Sequence, residues 1–391
     1  MGSAVSTRET RIFAPLLDGR DGDAARYDVI CLTHLRWDFV FQRPQHLLSR
    51  CGKGRRVFVV EEPHFDAAEP RLDQREDGQV LIAVPHLPGG LSEAQVHAHL
   101  RALLDGLIAE HAVRDYVLWY YTPMALPFSD HLQPRATVFD SMDELSLFKG
   151  APPELVAREA ELIRRADVVF TGGQSLYEAK KHRHDNIHAF PSSIEFEHFR
   201  AALSPQDDPA DQAGIAHPRI GFYGVVDERF DIELLREVAL LRPDWQFVIL
   251  GPVVKIDPAH LPKSANIHYL GMKKYAELPR YLSGWDVAML PFARNEATRF
   301  ISPTKTPEYL AAGRPVVSTP ITDVVEPYGN LGLVAIADEP RAFAAAIEHA
   351  MEQGRDQAWR GKVDAFLAGN SWDRTWMRMR ELIDAAVAAR S

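Results

Sequence analysis

The sequence predicts an α/β protein of two doubly wound, Rossmann-like parallel-sheet domains that face each other across a cleft. Three observations carry this. Short apolar runs alternate with stretches of helical periodicity along most of the chain, the pattern of parallel strands joined by helices. The alternation stops at residues 204–218, SPQDDPADQAGIAHP, where Pro and Asp accumulate, and then restarts. The length of 391 residues suits roughly two or three domains at ~150 residues each. The boundaries that follow are a leader at 1–27, a first domain at 28–203, a linker at 204–218, a second domain at 219–370 and a terminal helix at 371–391.

The leader is polar, with Gly and Asp concentrated at 18–23. DVICLT, from Asp28 to Thr33, is the first strand. His34 to Gln42 is a loop rich in large side chains, and Pro44 opens a helix. Strands follow at 56–61 and 79–84. Ser92 caps a helix reaching Glu110, with Leu100, Leu103, Leu104 and Leu107 on one face. Further strands are expected at 116–121, 136–139, 167–170 and 187–190. The helix at 153–165 separates two of them, and Ser175 caps another. After the linker, strands at 219–223, 246–250 and 266–270 alternate with helices at 231–241 and 275–283. Helices at 340–352, 357–367 and 372–388 end the chain.

Residues 286–320 hold the densest functional signal. Asp286 to Leu290 reads as a buried strand, and a polar loop runs from Pro291 to Thr306. Pro307 opens a brief helix, Glu308 lies in its first turn, Gly313 closes it, and 314–318 is the next strand. The loop leaves the carboxyl end of its strand, where open α/β sheets bind ligands. It brings Ser302, Thr304 and Lys305 to the amino end of a helix, an anion site. Hydroxyls, a lysine, helix N–H groups and a glutamate suit a phosphorylated ligand that carries a ribose.

Composition narrows the function. Hydrophobic residues make up 46% and charged residues 25% of the chain, as in ordinary globular proteins. A net charge of −10 argues against nucleic acid as a partner. Cys31 and Cys51 are the only cysteines, too few for a disulfide framework or a four-cysteine zinc site. The sixteen histidines form no HExxH pattern, so no metal site is expected. No apolar run is long enough to span a bilayer and no signal-peptide core is present. A cytoplasmic protein is expected; attachment to the periphery of the inner membrane face is compatible with this.

Several segments together resemble glycosyltransferases of the GT-B fold, in particular the large retaining family (glycosyl transferases group 1 type) that uses nucleotide-sugar donors. They are RWDFVFQRPQHLLSR, FDSMDELS, ADVVFTGGQSLYEAKK, IGFYGVVDERFD, VILGPV, SPTKTPEYLAAGRPVVSTP and the closing SWDRTW. The resemblance implies a donor site in the second domain and an acceptor site in the first, with no cofactor and no metal. Glu308 matches the glutamate that binds the donor ribose. Lys305 matches a basic residue near the diphosphate, with Arg229 as its partner, and Gly224 lets backbone approach the phosphates. Gly271 to Lys273 lies where the base is held, with UDP as the default nucleotide by family frequency. The family pattern pairs two glutamates eight positions apart; the first is replaced here, by Ile301, and Glu296 is out of register.

Asp140, Asp143 and Glu144 follow a strand end, so they are placed at the cleft. Asp140 joins Lys305 and Arg229 as a catalytic candidate. Asp143 and Glu144 join Trp37, Asp38 and Arg43 as acceptor-binding candidates, and an exposed Trp-Phe loop would cradle a sugar ring. The donor-binding set is Gly224, Gly271, Lys273, Ser302, Thr304, Lys305 and Glu308. Transfer of a sugar from a nucleotide diphosphate to a hydroxyl of a glycan or lipid-linked acceptor is the expected activity, retaining and metal-independent, in bacterial glycan synthesis. Two alternatives share the fold: a nucleotide-sugar 2-epimerase, which would act on the donor alone, and a non-catalytic nucleotide- or glycan-binding protein.

Overall fold

The computed structural model of the chain describes Phe13, residues 27–204 and residues 206–390. The leader expected at 1–27 lies outside the described residues apart from Phe13 and Tyr27. Two sheets organise the rest. The first contains β1 Asp28–Leu32, β2 Val57–Val60, β3 Arg71–Asp77, β4 Val80–His86, β5 Tyr116–Tyr120, β6 Ala136–Ser141, β7 Val168–Thr171 and β8 Ile187–Ala189. Their order is β3-β4-β2-β1-β5-β6-β7-β8, parallel except for the β3–β4 hairpin. The second contains β9 Arg219–Tyr223, β10 Gln246–Leu250, β11 Ile267–Gly271, β12 Val287–Leu290, β13 Val316–Ser318 and β14 Val334–Ile336, in the order β11-β10-β9-β12-β13-β14. Each sheet is doubly wound, as the alternation implied. The central strands are buried on both faces because helices cover both sides.

The helix Glu93–Glu110 starts as expected: the Ser92 hydroxyl accepts the Gln95 N–H, and the Gln95 side chain returns to the Ser92 N–H. Ser175 is not a cap. The helix Gln174–Lys180 begins one residue earlier, and Gly173 is its N-cap. Strand β3 was not expected, because RLDQRED lies mostly exposed at the sheet edge and lacks apolar alternation.

The second domain begins before the expected linker. Ile194, Phe199, Ala202 and Ile215 pack into the same core as Leu290, Tyr309 and Leu310. The chain therefore crosses between domains near Pro191–Ser193. It returns beside that crossing: the Ser193 hydroxyl bonds the Asn370 side chain, and the Trp372 N–H donates to the Ile194 carbonyl at 3.3 Å. The terminal helix Trp372–Ala389 then fills the first domain, where Trp372, Trp376, Met379 and Ile383 pack with Cys31 and Trp119.

The Pro- and Asp-rich 206–218 segment puts Ile215 into the core but is otherwise held largely by polar bonds, which is why composition reads it as a linker. Gln212 is fully buried. Its side chain accepts the Trp285 indole N–H at 3.0 Å and donates to Asp208 at 3.0 Å, while Asp208 pairs with Arg219 at 2.7 Å. Gln212→Ala leaves the buried indole N–H unpaired, at a cost of about 1–3 kcal/mol. At roughly 2–4 °C per kcal/mol for a domain of this size, thermal unfolding should shift down measurably. An unchanged melting temperature would mean that the segment is only a tether.

Candidate functional site

The order of the second sheet explains where the site lies. β9 is central, with β10 on one side and β12 on the other. Successive connections leave from opposite faces there and open a crevice at the carboxyl ends of the strands. The loop after β9 carries Gly224 and Arg229; the loop after β12 carries Ser302 and Thr304 and leads to Lys305. The first domain faces them with the loop after β1 and the turn after β6. Together they enclose a cleft of about 410 Å³.

Lys305 is the centre of this wall. Its side chain crosses directly over Gly224, where a Cβ would lie 2.2 Å from Lys305 Cε. Gly224 also has φ +142, a conformation L-residues avoid. Glycine at this position also leaves the room that the Lys305 side chain takes. Among the described residues no carboxylate lies within ion-pair distance of Lys305. Burial and the Arg229 guanidinium push its ammonium down, against the pull of Glu308, Asp227 and Asp143. Arg229 forms a fork to Asp227, at 3.0 and 2.7 Å, and its guanidinium lies 5.3 Å from the Phe148 ring centre. Phe148 comes from the first domain, so that cation is placed by both. Asp143 lines the cleft nearby; burial pushes its carboxyl up, while Arg229, Arg43 and Lys305 pull it down.

Glu308 sits in the helix Lys305–Ala311. Its carboxylate accepts the Tyr223 hydroxyl, and the Tyr223 N–H donates to the Tyr309 hydroxyl at 2.9 Å. Burial pushes Glu308 up, opposed by the Tyr223 bond and by Lys305. The helix begins two residues before Pro307, is seven residues long and has no side-chain cap. Side-chain cations, rather than a long helix dipole, therefore supply the positive charge. Gly313 follows the end of the helix with φ +74, as a terminating glycine should.

Ser302 and Thr304 line the cleft, as does Lys273, which pairs with Asp211 at 2.7 Å. Gly271 is not in the lining; it turns the chain out of β11 at φ +70. Trp37 borders the first-domain wall but, contrary to the exposed loop expected, is only 7% exposed and belongs to the core with Leu47, because its indole N–H is drawn in to Asp77 at 2.6 Å; Asp38 bonds Arg75. Eight positions before Glu308 stands Phe300; Ile301, a residue later, is buried against the cleft, and neither carries a carboxylate.

Asp140 and Glu144 are structural, and Arg43, although it lines the cleft, is committed to a buried ion pair. Asp140 is fully buried inside β6 and chelated by Arg43, at 2.9–3.1 Å, so it does not face the cleft. Arg43 spends its guanidinium on that carboxylate and on the Phe190 carbonyl at 2.7 Å. The strand end lies later than the sequence suggests, which puts Asp140 inside the sheet. Glu144 turns away to Lys180 at 2.9 Å and Ser146 at 2.6 Å.

The sequence reading did not single out Tyr223, Phe148, Phe41 or Tyr275. Phe41 and Tyr275 stack across the domains with centroids 4.6 Å apart, and both line the cleft. Tyr223 precedes Gly224 at a strand end, a position that could have marked it. Nothing local marks Phe148, which matters only through residues of the other domain. No group of three or more His, Cys, Asp or Glu side chains is placed to hold a metal ion among the described residues. None of the described helices is long and apolar enough to cross a membrane.

The Glu308 environment has a pH signature. A carboxyl whose folded value is raised contributes stability below its unfolded value and loses it as pH rises through the folded one. Glu308→Gln removes that loss. Relative to wild type, the variant should therefore gain melting temperature on going from acid pH to above neutrality. Parallel curves across that window would show that Glu308 is not held against ionisation.

Residues 217–353 match the family model described as Glycosyl transferases group 1. TuaH of Bacillus subtilis (strain 168), whose name assigns it provisionally to teichuronic acid biosynthesis as a glycosyltransferase, is 28% identical over 214 residues. The match covers 52% of this chain and 53% of TuaH, so the chain spans about half the length of that curated relative. An E. coli trehalose-6-phosphate structure bound with UDP-2-fluoro glucose superposes with a TM-score of 0.66 at 12% identity, over 91% of this chain and 99% of that one. Anabaena HepE in complex with UDP gives 0.64 at 14%, over 92% and 100%. Such identities speak for the fold alone. The second domain carries the sequence pattern of the glycosyl transferases group 1 family, and the chain as a whole has the GT-B fold.

Proposed function

We propose that this chain is a glycosyltransferase that moves a sugar from a UDP-sugar to a hydroxyl of a glycan acceptor in bacterial polysaccharide synthesis. The observation that carries the reading is the convergence of Lys305, Arg229, Gly224 and Glu308 on one wall of the cleft, within the segment that matches the family model. Glu308, steadied by Tyr223, would accept the ribose hydroxyls. Lys305 and Arg229 would face the diphosphate, where negative charge grows as the sugar leaves. Two cations in place of a divalent ion make the reaction metal-independent in this reading.

The bond from the anomeric carbon to the diphosphate breaks, and the acceptor oxygen takes its place. Retention requires the incoming oxygen to arrive on the face the diphosphate leaves. The departing phosphate oxygen is then the nearest base for the acceptor proton. Trp37 and Asp143 lie on the first-domain wall and suit the acceptor; the chemistry is the same for a free and a lipid-linked one. The phenylalanines of the 37–41 loop, Phe39 at 39% and Phe41 at 42% exposed, offer the acceptor apolar faces. TuaH, named for teichuronic acid biosynthesis, supports a polysaccharide setting. The donor alone would suffice for an epimerase, but two walls of different chemistry favour two substrates.

Binding tests the donor half. UDP in buffer containing EDTA should raise the melting temperature, because a ligand that binds only the folded state stabilises it. Glu308→Ala should weaken that binding by about 1.5–3 kcal/mol, the range for hydrogen bonds to charged groups. A UDP response that needs added Mg²⁺, or that ignores the substitution, would count against the reading.

Single turnover tests the chemical half. Charge on the diphosphate peaks in the transition state, so Lys305→Ala should slow donor cleavage more than it weakens binding of intact donor. Lys305→Arg should recover only part, since a planar fork does not reproduce a compact ammonium. A variant that binds poorly yet reacts normally when saturated would reduce Lys305 to a binding residue.

A further inference from the structure

Some of the contacts that join the two domains belong to neither sheet. Asp323, in the turn after β13, is only 6% exposed and reaches into the first domain. Its carboxylate accepts the Gln174 N–H at 3.0 Å and the Ser175 N–H at 2.9 Å. These are the first residues of the helix Gln174–Lys180, whose N-cap, Gly173, has no side chain with which to cap it. A carboxylate from the other domain thus satisfies N–H groups that a helix start leaves unpaired.

The fit is close on both sides. Gly173 has φ −158, an extended backbone that any residue adopts. Yet a Cβ there would lie 2.1 Å from the Asp323 carboxylate and 2.9 Å from Ser302 Cβ. Space for the incoming carboxylate, rather than backbone conformation, is what glycine provides here. The Ser302 side chain hydrogen-bonds the Asp323 carboxylate, and its carbonyl accepts the Ser192 hydroxyl at 3.1 Å, at the point where the chain crosses between domains. Ser302 stands three residues before Lys305 in the same loop. The loop that carries the cleft lysine is therefore held by the first domain, beside the Asp323 carboxylate.

We propose that Asp323 is the latch of domain closure and, through Ser302, a positioning residue for Lys305. With the domains apart, the carboxylate and both N–H groups return to water, and the 301–305 loop loses its first-domain support. With them together, the loop is seated and Lys305 lies over Gly224. The kinetic part of this inference rests on the transfer reading above; the structural part stands on the cross-domain contacts alone.

The test breaks the latch from each side. Asp323→Asn keeps the size but offers a single acceptor oxygen and turns an amide towards the other N–H. Gly173→Ala keeps the carboxylate and obstructs its seat. Spin labels on cysteines introduced at Glu154 and Lys362, exposed positions on the first and second domains, report separation; the native Cys31 and Cys51 are buried. Each variant should gain a population at altered separation that wild type lacks, and the double variant should add little to the stronger single one. With donor present, cleavage should slow by roughly ten- to a hundredfold, as misplacement of a catalytic group does, while affinity for the intact UDP-sugar changes by less than about twofold, because its diphosphate does not yet carry the charge that grows as the sugar leaves. Unchanged distance distributions in both single variants would overturn the latch. So would parallel loss of UDP affinity and melting temperature without altered separation, which marks a packing residue. Failure of wild type to bind UDP would instead sink the transfer reading, and the distance measurement would still decide the latch.

Discussion

The cleft depends on a lysine lying where a side chain would normally be. Lys305 passes over Gly224 so closely that a single methyl group would displace it. That approach holds an ammonium in a partly buried place with no ion-pair partner among the described residues, beside a second cation, Arg229. Two like charges left together without full compensation are costly. An anion entering between them removes the repulsion and is bound for the same reason. The surrounding carboxylates are arranged accordingly. Asp227 ties Arg229 down, Glu308 is occupied by Tyr223, and Asp143 approaches from the opposite domain. The wall is electrostatically unfinished by itself.

Much of this was legible in the sequence because it is local. Alternating apolar runs reveal strands wherever helices cover both faces, so both sheets were recognisable. The loop from Pro291 to Lys305 was recognisable because its strand, its glycine stop at Gly313 and its glutamate all sit within one βαβ unit. Failures arose where the decisive contact is distant. Asp140 looks like a strand-end carboxylate until Arg43, 97 residues away, is seen to neutralise it. Glu144 is drawn off by Lys180 in the same way. Residues 206–218 look like a tether because, beyond Ile215, what holds them is polar: Gln212 against the Trp285 indole and Asp208 against Arg219. Composition reports how apolar a segment is, not whether its polar groups are satisfied.

The two walls also differ in kind. The second-domain wall is polar and cationic, built from short loops at a switch point of the sheet. The first-domain wall carries aromatic rings from Trp37 to Phe41 beside the carboxylates of Asp38 and Asp143, with Phe41 stacked on Tyr275 across the gap. A charged group and a sugar face or apolar surface would therefore sort to opposite sides before any reaction. Closure changes the dielectric around the cations, since it is the first domain that covers them.

The double crossing between domains has a consequence for biosynthesis. The chain leaves the first domain near Pro191 and comes back at Trp372, and the returning helix supplies Trp372, Trp376 and Met379 to the core around Cys31 and Trp119. A ribosome releases those residues only after the whole second domain. The first domain emerges before the second but is completed after it, and its Trp119 face stays uncovered while the entire second domain is made. The second domain needs nothing further along the chain for its own core and can fold during that interval. Assembly order is then the reverse of synthesis order. The pair of chain passages at Ser193 and Asn370 is the seam at which the finished second domain draws the first one shut.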